Sequence, residues 1–174
     1  MSILVVINPV SGSKKAVKIF DKVKTQLGST PYNQITSLKS GHIYEIANSL
    51  GAGLYDKVIL VGGDGTLHEF LNGLMDRDDG YRIPIGLIPA GTGNSLMHDL
   101  DALKPEDAMG RILQAKTSKI DIAKVTFNEG HIYAFNVIGW GIPSNVNQKA
   151  EKLKLFGGQR YNIASLLEII RHSK

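Results

Sequence analysis

Lys57-Val58-Ile59-Leu60-Val61-Gly62-Gly63-Asp64-Gly65-Thr66-Leu67-His68-Glu69-Phe70-Leu71-Asn72-Gly73-Leu74 is the stretch that decides the fold. Residues 57–61 form a short, continuous apolar run and read as a strand buried on both faces. Leu67, Phe70, Leu71 and Leu74 recur at helical spacing, so 66–74 reads as a helix with one inward face. The glycines between them let bare backbone N–H groups approach an anion, and a helix N-terminus adds partial positive charge. Pro89-Ala90-Gly91-Thr92-Gly93-Asn94 ends a second apolar run in the same way, and a side chain at Gly91 is expected to occupy the phosphate's space. Two such loops, one with a carboxylate between glycines, indicate a nucleotide-phosphate site with a bound metal.

Outward from these loops, strand and helix alternate through residues 1–116. Strands are expected at 2–8, 34–38, 57–61 and 83–88, with 34–38 the weakest. A helix over 14–27 would face Ala16, Val17, Phe20, Val23 and Leu27 inward, with Ser13 as its N-cap. Ile43, Ile46, Ala47 and Leu50 mark a helix over 41–50 between Ser40 and Gly51, and further helices fall at 94–100 and 105–114. Unbroken apolar strands between helices imply a doubly wound α/β domain with a mostly parallel sheet, covered on both faces. Beyond 116 the pattern changes. Strands at 119–127 and 131–138 flank the turn Asn128-Glu129-Gly130, and helical stretches follow at 144–155 and 161–172. A lone hairpin is marginal in water. Residues 117–174 therefore read as the truncated start of a second, β-rich domain. Its unpaired strand edges would be open to self-association, and Phe127 and Phe135 would have few partners.

Composition fits a soluble globular chain: 174 residues, 43% hydrophobic, 21% charged, with no cysteine for a disulfide or thiolate metal site. No apolar run approaches the ~20 residues that span a bilayer, and Met1–Ile7 lacks a basic leader. The net charge of +4 is carried by residues 144–174, where Lys149, Lys152, Lys154, Arg160, Arg171 and Lys174 outnumber Glu151 and Glu168. Such a segment is a solvated face, or it contacts phosphate or an anionic membrane.

Asp64 stands where the helix begins. It reads as an N-cap, or as a carboxylate that holds Mg²⁺ against phosphates or accepts a hydroxyl proton. Thr66 and Glu69 have the spacing of a capping box, which suffices to explain Glu69 beside a ligand role. His68-Glu69 is not a zinc-protease helix, because Asn72 stands where the second histidine belongs. Gly91-Thr92-Gly93 lacks the third glycine of a dinucleotide fingerprint, and neither a P-loop nor a protein-kinase catalytic loop occurs. Asn8-Pro9-Val10-Ser11-Gly12 is an ordinary turn by composition. It follows the first strand, however, so three loops converge on the carboxyl edge of the sheet, where open α/β sheets bind ligands.

Asn-Pro-x-Ser-Gly, Gly-Gly-Asp-Gly-Thr and Pro-Ala-Gly-Thr-Gly-Asn, in this order, resemble the catalytic domain of the diacylglycerol kinase and sphingosine kinase family of lipid kinases. The wording of Gly62–Leu74 is most similar to the sphingosine and ceramide kinase branch. The resemblance implies an N-terminal domain like that of NAD kinases and 6-phosphofructokinases, followed by the start of a β-sandwich with helices. It implies ATP- and Mg²⁺-dependent phosphoryl transfer to a lipid hydroxyl of diacylglycerol, a sphingoid base or ceramide. By the same resemblance Asn8, Pro9, Ser11, Gly12, Thr36, Gly62, Gly63, Gly65, Thr66, Glu69, Gly91, Thr92, Gly93 and Asn94 bind ATP. Lys154 and Arg160 fall on phosphate-contacting positions, and Asp64 on the base for the lipid hydroxyl. Asn145 and Asn147 stand where sphingosine kinases carry acidic lipid contacts, which weakens the case for a cationic acceptor. Metal ligands are not identified. The expected partners are ATP and a lipid at a membrane surface, with no nucleic acid; the expected setting is cytoplasmic with peripheral membrane association. A NAD kinase-like transferase and a non-catalytic nucleotide-binding remnant are the alternatives.

Overall fold

The computed structural model describes residues 2–114, 116–136, 138, 142–153 and 159–172. The chain packs as two compact units, Met1–Asn136 and Val137–Lys174.

The first unit is built on four parallel strands in the order β2-β1-β3-β4: β1 (Ile3–Ile7), β2 (Tyr32–Thr36), β3 (Lys57–Gly62) and β4 (Ile85–Pro89). Every residue of β1 and β3 is buried, as their apolar runs require. β2 is an edge strand; its exposed Tyr32, Asn33 and Gln34 account for its weak sequence signal. The register sets Ile7 opposite both Thr36 and Val61, and Gly62 opposite Pro89, so all four strands end level. From β1 the chain goes first to one side and then to the other. The switch point of the winding therefore lies between β1 and β3, where such sheets open a crevice.

Helices α2 (Ala16–Val23), α3 (His42–Ser49), α4 (Asp64–Met75) and α6 (Pro105–Leu113) cover the sheet, with α3 packed on α4 and α2 on α6. Phe20, Phe70 and Met109 are fully buried in the core they enclose. The short α5 (Ser95–Asp99) follows the loop after β4.

Two local expectations are corrected. Ser13 does not cap the second helix. It lies with Gly12 and Lys14 in a left-handed turn (φ 56°, 59° and 69°) inside the short α1 (Ser11–Lys14), and the helix starts at Ala16 without a side-chain cap. The cause is tertiary: a Cβ on Gly12 would sit 2.1 Å from the Ala90 carbonyl oxygen, so the first loop is pressed against the third. The same helix also ends early, tightening into a 3₁₀ turn at Lys24–Leu27.

The antiparallel hairpin β5 (Ala123–Phe127) and β6 (Gly130–Ala134) lies within the first unit. It is mostly exposed, Phe127 included, although Phe135 packs partly against the core. Val137–Lys174 contains α7 (Ile142–Lys152) and α8 (Arg160–His172), packed on each other through the fully buried Ala150 and Ala164. Glu168 of α8 is also fully buried, and it accepts hydrogen bonds from Asn145 Nδ2 (2.9 Å) and Lys149 Nζ. A carboxylate taken out of water needs such partners. Among the described residues no helix is long and apolar enough to cross a membrane.

Candidate functional site

The three glycine-containing loops meet at the carboxyl edge of the sheet and are tied to one another there. The Asn8 backbone N–H donates to the Val61 carbonyl (3.0 Å), which continues the β1–β3 ladder. Its side-chain Nδ2 donates to Thr66 Oγ1 (3.0 Å), and the Ser11 hydroxyl lies 3.3 Å from the same oxygen. Thr66 is buried, so one hydroxyl in the first turn of α4 anchors the Asn8–Gly12 loop. The Ala90 N–H donates to the Gly62 carbonyl (2.7 Å) and joins the second loop to the third.

Gly63 and Gly91 face each other without side chains. A Cβ on Gly91 would lie 2.5 Å from Gly63 Cα, and one on Gly63 would lie 2.8 Å from Gly91 Cα. This corrects the expected reason for Gly91: the space beside it is filled by Gly63. The Gly91 N–H is also engaged, donating to Asn94 Oδ1 (3.0 Å), while Asn94 Nδ2 returns to the Gly91 carbonyl (2.9 Å). Gly65 is the contrasting case. It is exposed in the first turn of α4, and none of the described residues comes within 4 Å of where its Cβ would be. Among the described residues no side chain caps α4, whose first N–H groups point out of the helix. That end is the anion-receptive feature of the site. Thr92 and Gly93 are exposed on the third loop.

Asp64 is half-buried and turned towards α5. Its Oδ2 accepts from the Ser95 N–H (2.9 Å) and hydroxyl (3.2 Å), and Oδ1 from the Leu96 N–H (3.4 Å). It therefore caps a neighbouring helix. An ionised carboxylate has about four lone-pair sites, so three donors leave it room for one more.

Glu69 does not close a capping box with Thr66, which corrects the capping reading of that spacing. Thr66 is committed to Asn8 and Ser11, and Glu69 Oε1 accepts from the Ile43 N–H (3.0 Å) at the start of α3. Glu69 also lines a cleft of about 200 Å³ with Asn8, Pro9, Ser37, Leu38 and Lys39. Thr36 ends β2 one residue before this wall and is half-buried. Ser37, Leu38 and Lys39 carry no glycine signature; their only sequence signal is their place at the carboxyl end of a strand. Burial lowers the pKa of His68, half-buried on α4, from its ordinary value.

Asn145 is held by Glu168 within the second unit. Lys154 and the side chains of Arg160 and Asn147 lie outside the described residues. Among the described residues no three His, Asp or Glu side chains gather to hold a metal.

Known proteins resemble this chain in sequence and in fold. The chain is 30% identical to sphingosine kinase 1 of Arabidopsis thaliana, over 97% of this chain and 37% of that protein. It is 34% identical to sphingoid long-chain bases kinase 1 of the same plant, over 96% of this chain and 23% of the relative. The chain thus spans well under half the length of these curated relatives. The fold is shared with a crystal structure of a diacylglycerol kinase from Bacillus anthracis str. Sterne. There the TM-score is 0.63 at 23% identity, over 75% of this chain and 45% of the other. The loop order, the parallel sheet and a match over residues 2–125 agree: the chain belongs to the diacylglycerol kinase catalytic domain family.

Proposed function

We propose that this chain carries the nucleotide side of an ATP-dependent lipid kinase, which transfers the γ-phosphoryl group to a lipid hydroxyl. The observation that carries the reading is the N-terminus of α4, left uncapped among the described residues with Gly65 open in its first turn, set at the β1–β3 switch point beside the Asn8–Glu69 cleft. On this reading Asn8, Pro9, Ser11, Gly12, Thr36 and Glu69 hold the nucleoside end. The loops Gly62–Thr66 and Gly91–Asn94 shape the phosphate end, and Lys154 and Arg160 offset its charge. Phosphoryl transfer depends mainly on such positioning and charge stabilisation.

Among the described residues no three carboxylates gather, and Mg²⁺ would need only one or two protein carboxylates, of which Asp64 lies at the phosphate end, together with substrate phosphates. When bound, it would neutralise charge on the transferring phosphoryl group. Asp64 is the proposed base. Ser95 and Leu96 orient its carboxylate, and its remaining acceptor capacity receives the hydroxyl proton. Asn145 and Asn147 are the proposed acceptor contacts; with Asn145 Nδ2 on Glu168, its carbonyl oxygen is the group that would accept from a lipid hydroxyl or amide. We read residues 117–174 as belonging to the lipid-binding part, acting in the cytoplasm on lipid presented at a membrane surface.

Two measurements test this. Mg²⁺·ATP should raise the melting temperature, since binding to the native state shifts unfolding by mass action. A flat response through millimolar ATP refutes the nucleotide site. γ-Labelled ATP should then label a diacylglycerol, sphingoid base or ceramide and leave NAD unlabelled; label in NAD alone refutes the lipid reading.

A further inference from the structure

β6 is held to α4 by two side chains one helical turn apart. Asn72 Nδ2 donates to the Tyr133 carbonyl (2.9 Å), and the Tyr133 N–H donates to Asn72 Oδ1 (2.8 Å). The amide thus meets both polar groups of one strand residue, as a neighbouring strand would. Four residues on, Asp76 Oδ1 lies 2.8 Å from His131 Nε2, while its Oδ2 accepts from the Tyr44 hydroxyl (2.9 Å) on α3. The spacings match. Four helical residues rise about 6 Å and two strand residues about 6.8 Å, so Asn72 and Asp76 meet Tyr133 and His131 in antiparallel order.

The hydrogen bonds also fix which way the hairpin faces. The Tyr133 N–H and C=O both go to Asn72, so they point away from β5. Lys124↔Tyr133 is then a non-hydrogen-bonded pair, and its neighbour Val125↔Ile132 carries the ladder bonds. The outer edge of β6, expected to be bare, is occupied at this residue by a helix side chain. The other end of the same helix carries Asp64, about 12 Å away along the axis.

We infer that Asn72 and Asp76 form a two-point clamp that positions the β5–β6 hairpin on the helix bearing the phosphate loop. Both are positioning residues for the acceptor side of the reaction. This rests on the lipid-kinase reading, in which the chain runs on from β6 into the segment of the acceptor contacts. A hairpin free to swing about α4 would leave the start of that segment unfixed with respect to Asp64. Asn72 touches neither the cleft nor the loops, so its loss should spare nucleotide binding.

The test is amide hydrogen exchange on the 174-residue chain, read at Tyr133 and Ile132. Asn72→Ala should speed Tyr133 exchange by about tenfold or more and leave Ile132, held by β5, within about twofold. His131→Ala, at a partly exposed site, should speed Tyr133 exchange in the same direction. Mg²⁺·ATP stabilisation should persist in both variants. In lipid phosphorylation, Asn72→Ala should raise the acceptor KM about fivefold and hold the ATP KM within about twofold. Unchanged Tyr133 exchange in both variants, or an equal rise in both KM values, overturns the clamp. Absence of an ATP response in the unsubstituted chain refutes the kinase reading instead, and Tyr133 exchange still judges the clamp by itself.

Discussion

Replacing Gly91 with alanine should damage folding, while replacing Gly65 should damage only ligand binding. At Gly91 the added methyl would lie 2.5 Å from Gly63 Cα and 2.9 Å from Asn94 Oδ1. Carbon atoms settle at about 3.5–4.0 Å, so the second and third loops must part by about 1 Å. Both neighbours are constrained: Gly63 precedes α4, and Asn94 is hydrogen-bonded to Gly91 in both directions. Overpacking of this kind costs about 1–3 kcal/mol, a sizeable share of a domain's roughly 5–15 kcal/mol. With a urea slope of about 2 kcal/mol/M, the midpoint should fall by about 0.5–1.5 M. Gly65→Ala adds a methyl into open space in the first turn of a helix, where alanine is favoured by up to about 1 kcal/mol. Its midpoint should hold or rise, and its Mg²⁺·ATP stabilisation should shrink, because the methyl stands where a phosphate would approach. A Gly91→Ala midpoint equal to that of the unsubstituted chain refutes the close-approach argument. A full ATP response in Gly65→Ala refutes phosphate binding at α4.

Three further outcomes follow from the site and its supports. Asp64→Asn keeps an acceptor for Ser95 and removes the proposed base, so turnover in a catalytically competent form should fall by about 10²-fold or more; activity within twofold makes Asp64 only a cap. Arg77→Ala removes a guanidinium that donates to the carbonyls of Ala47, Asn48 and Leu50 at the end of α3, and thermal or urea unfolding should show a loss of about 1.5–3 kcal/mol. Burial depresses the folded-state pKa of His68 below its ordinary 6.5, so protonation favours the unfolded chain. The contribution of His68 to stability is thus full above pH ~6.5 and lost as pH falls towards the lower folded value; His68→Gln should flatten that part of the pH–stability curve, and an unchanged curve rejects the assignment.

The sheet was legible because its central strands are continuous apolar runs, and burial on both faces demands that pattern of β1 and β3. β2 reads faintly because an edge strand can expose Asn33 and Gln34. Read from the sequence, α4 starts two residues late, since Asp64 and Gly65 have loop composition while standing in the first helical turn. The three loops were legible by their glycines, and the structure brings them together. The cleft wall at Ser37–Lys39 was not, because polar residues after an edge strand look like any turn.

Capping is where reading along the chain and the structure part most sharply, and the reason is geometric. A sequence exposes only near neighbours, so Thr66 and Glu69 look like partners and Ser13 looks like a cap. In the fold, polar side chains along α4 and just beyond its end satisfy groups on other elements. Asp64 serves α5, Thr66 the Asn8–Gly12 loop, and Glu69 the start of α3. Asn72 serves β6, Asp76 serves Tyr44 and His131, and Arg77 the end of α3. These partners lie 26 to 61 residues away in sequence, and no spacing rule of three or four residues can report them. Such an arrangement makes α4 the common support of the proposed site: the helix whose N-terminus is proposed to receive phosphate also fixes both ends of α3, which borders the cleft, and the strand that leads on towards the proposed acceptor contacts. A perturbation at one of these side chains should therefore be read at its distant partner, since each bond joins α4 to another element of the fold.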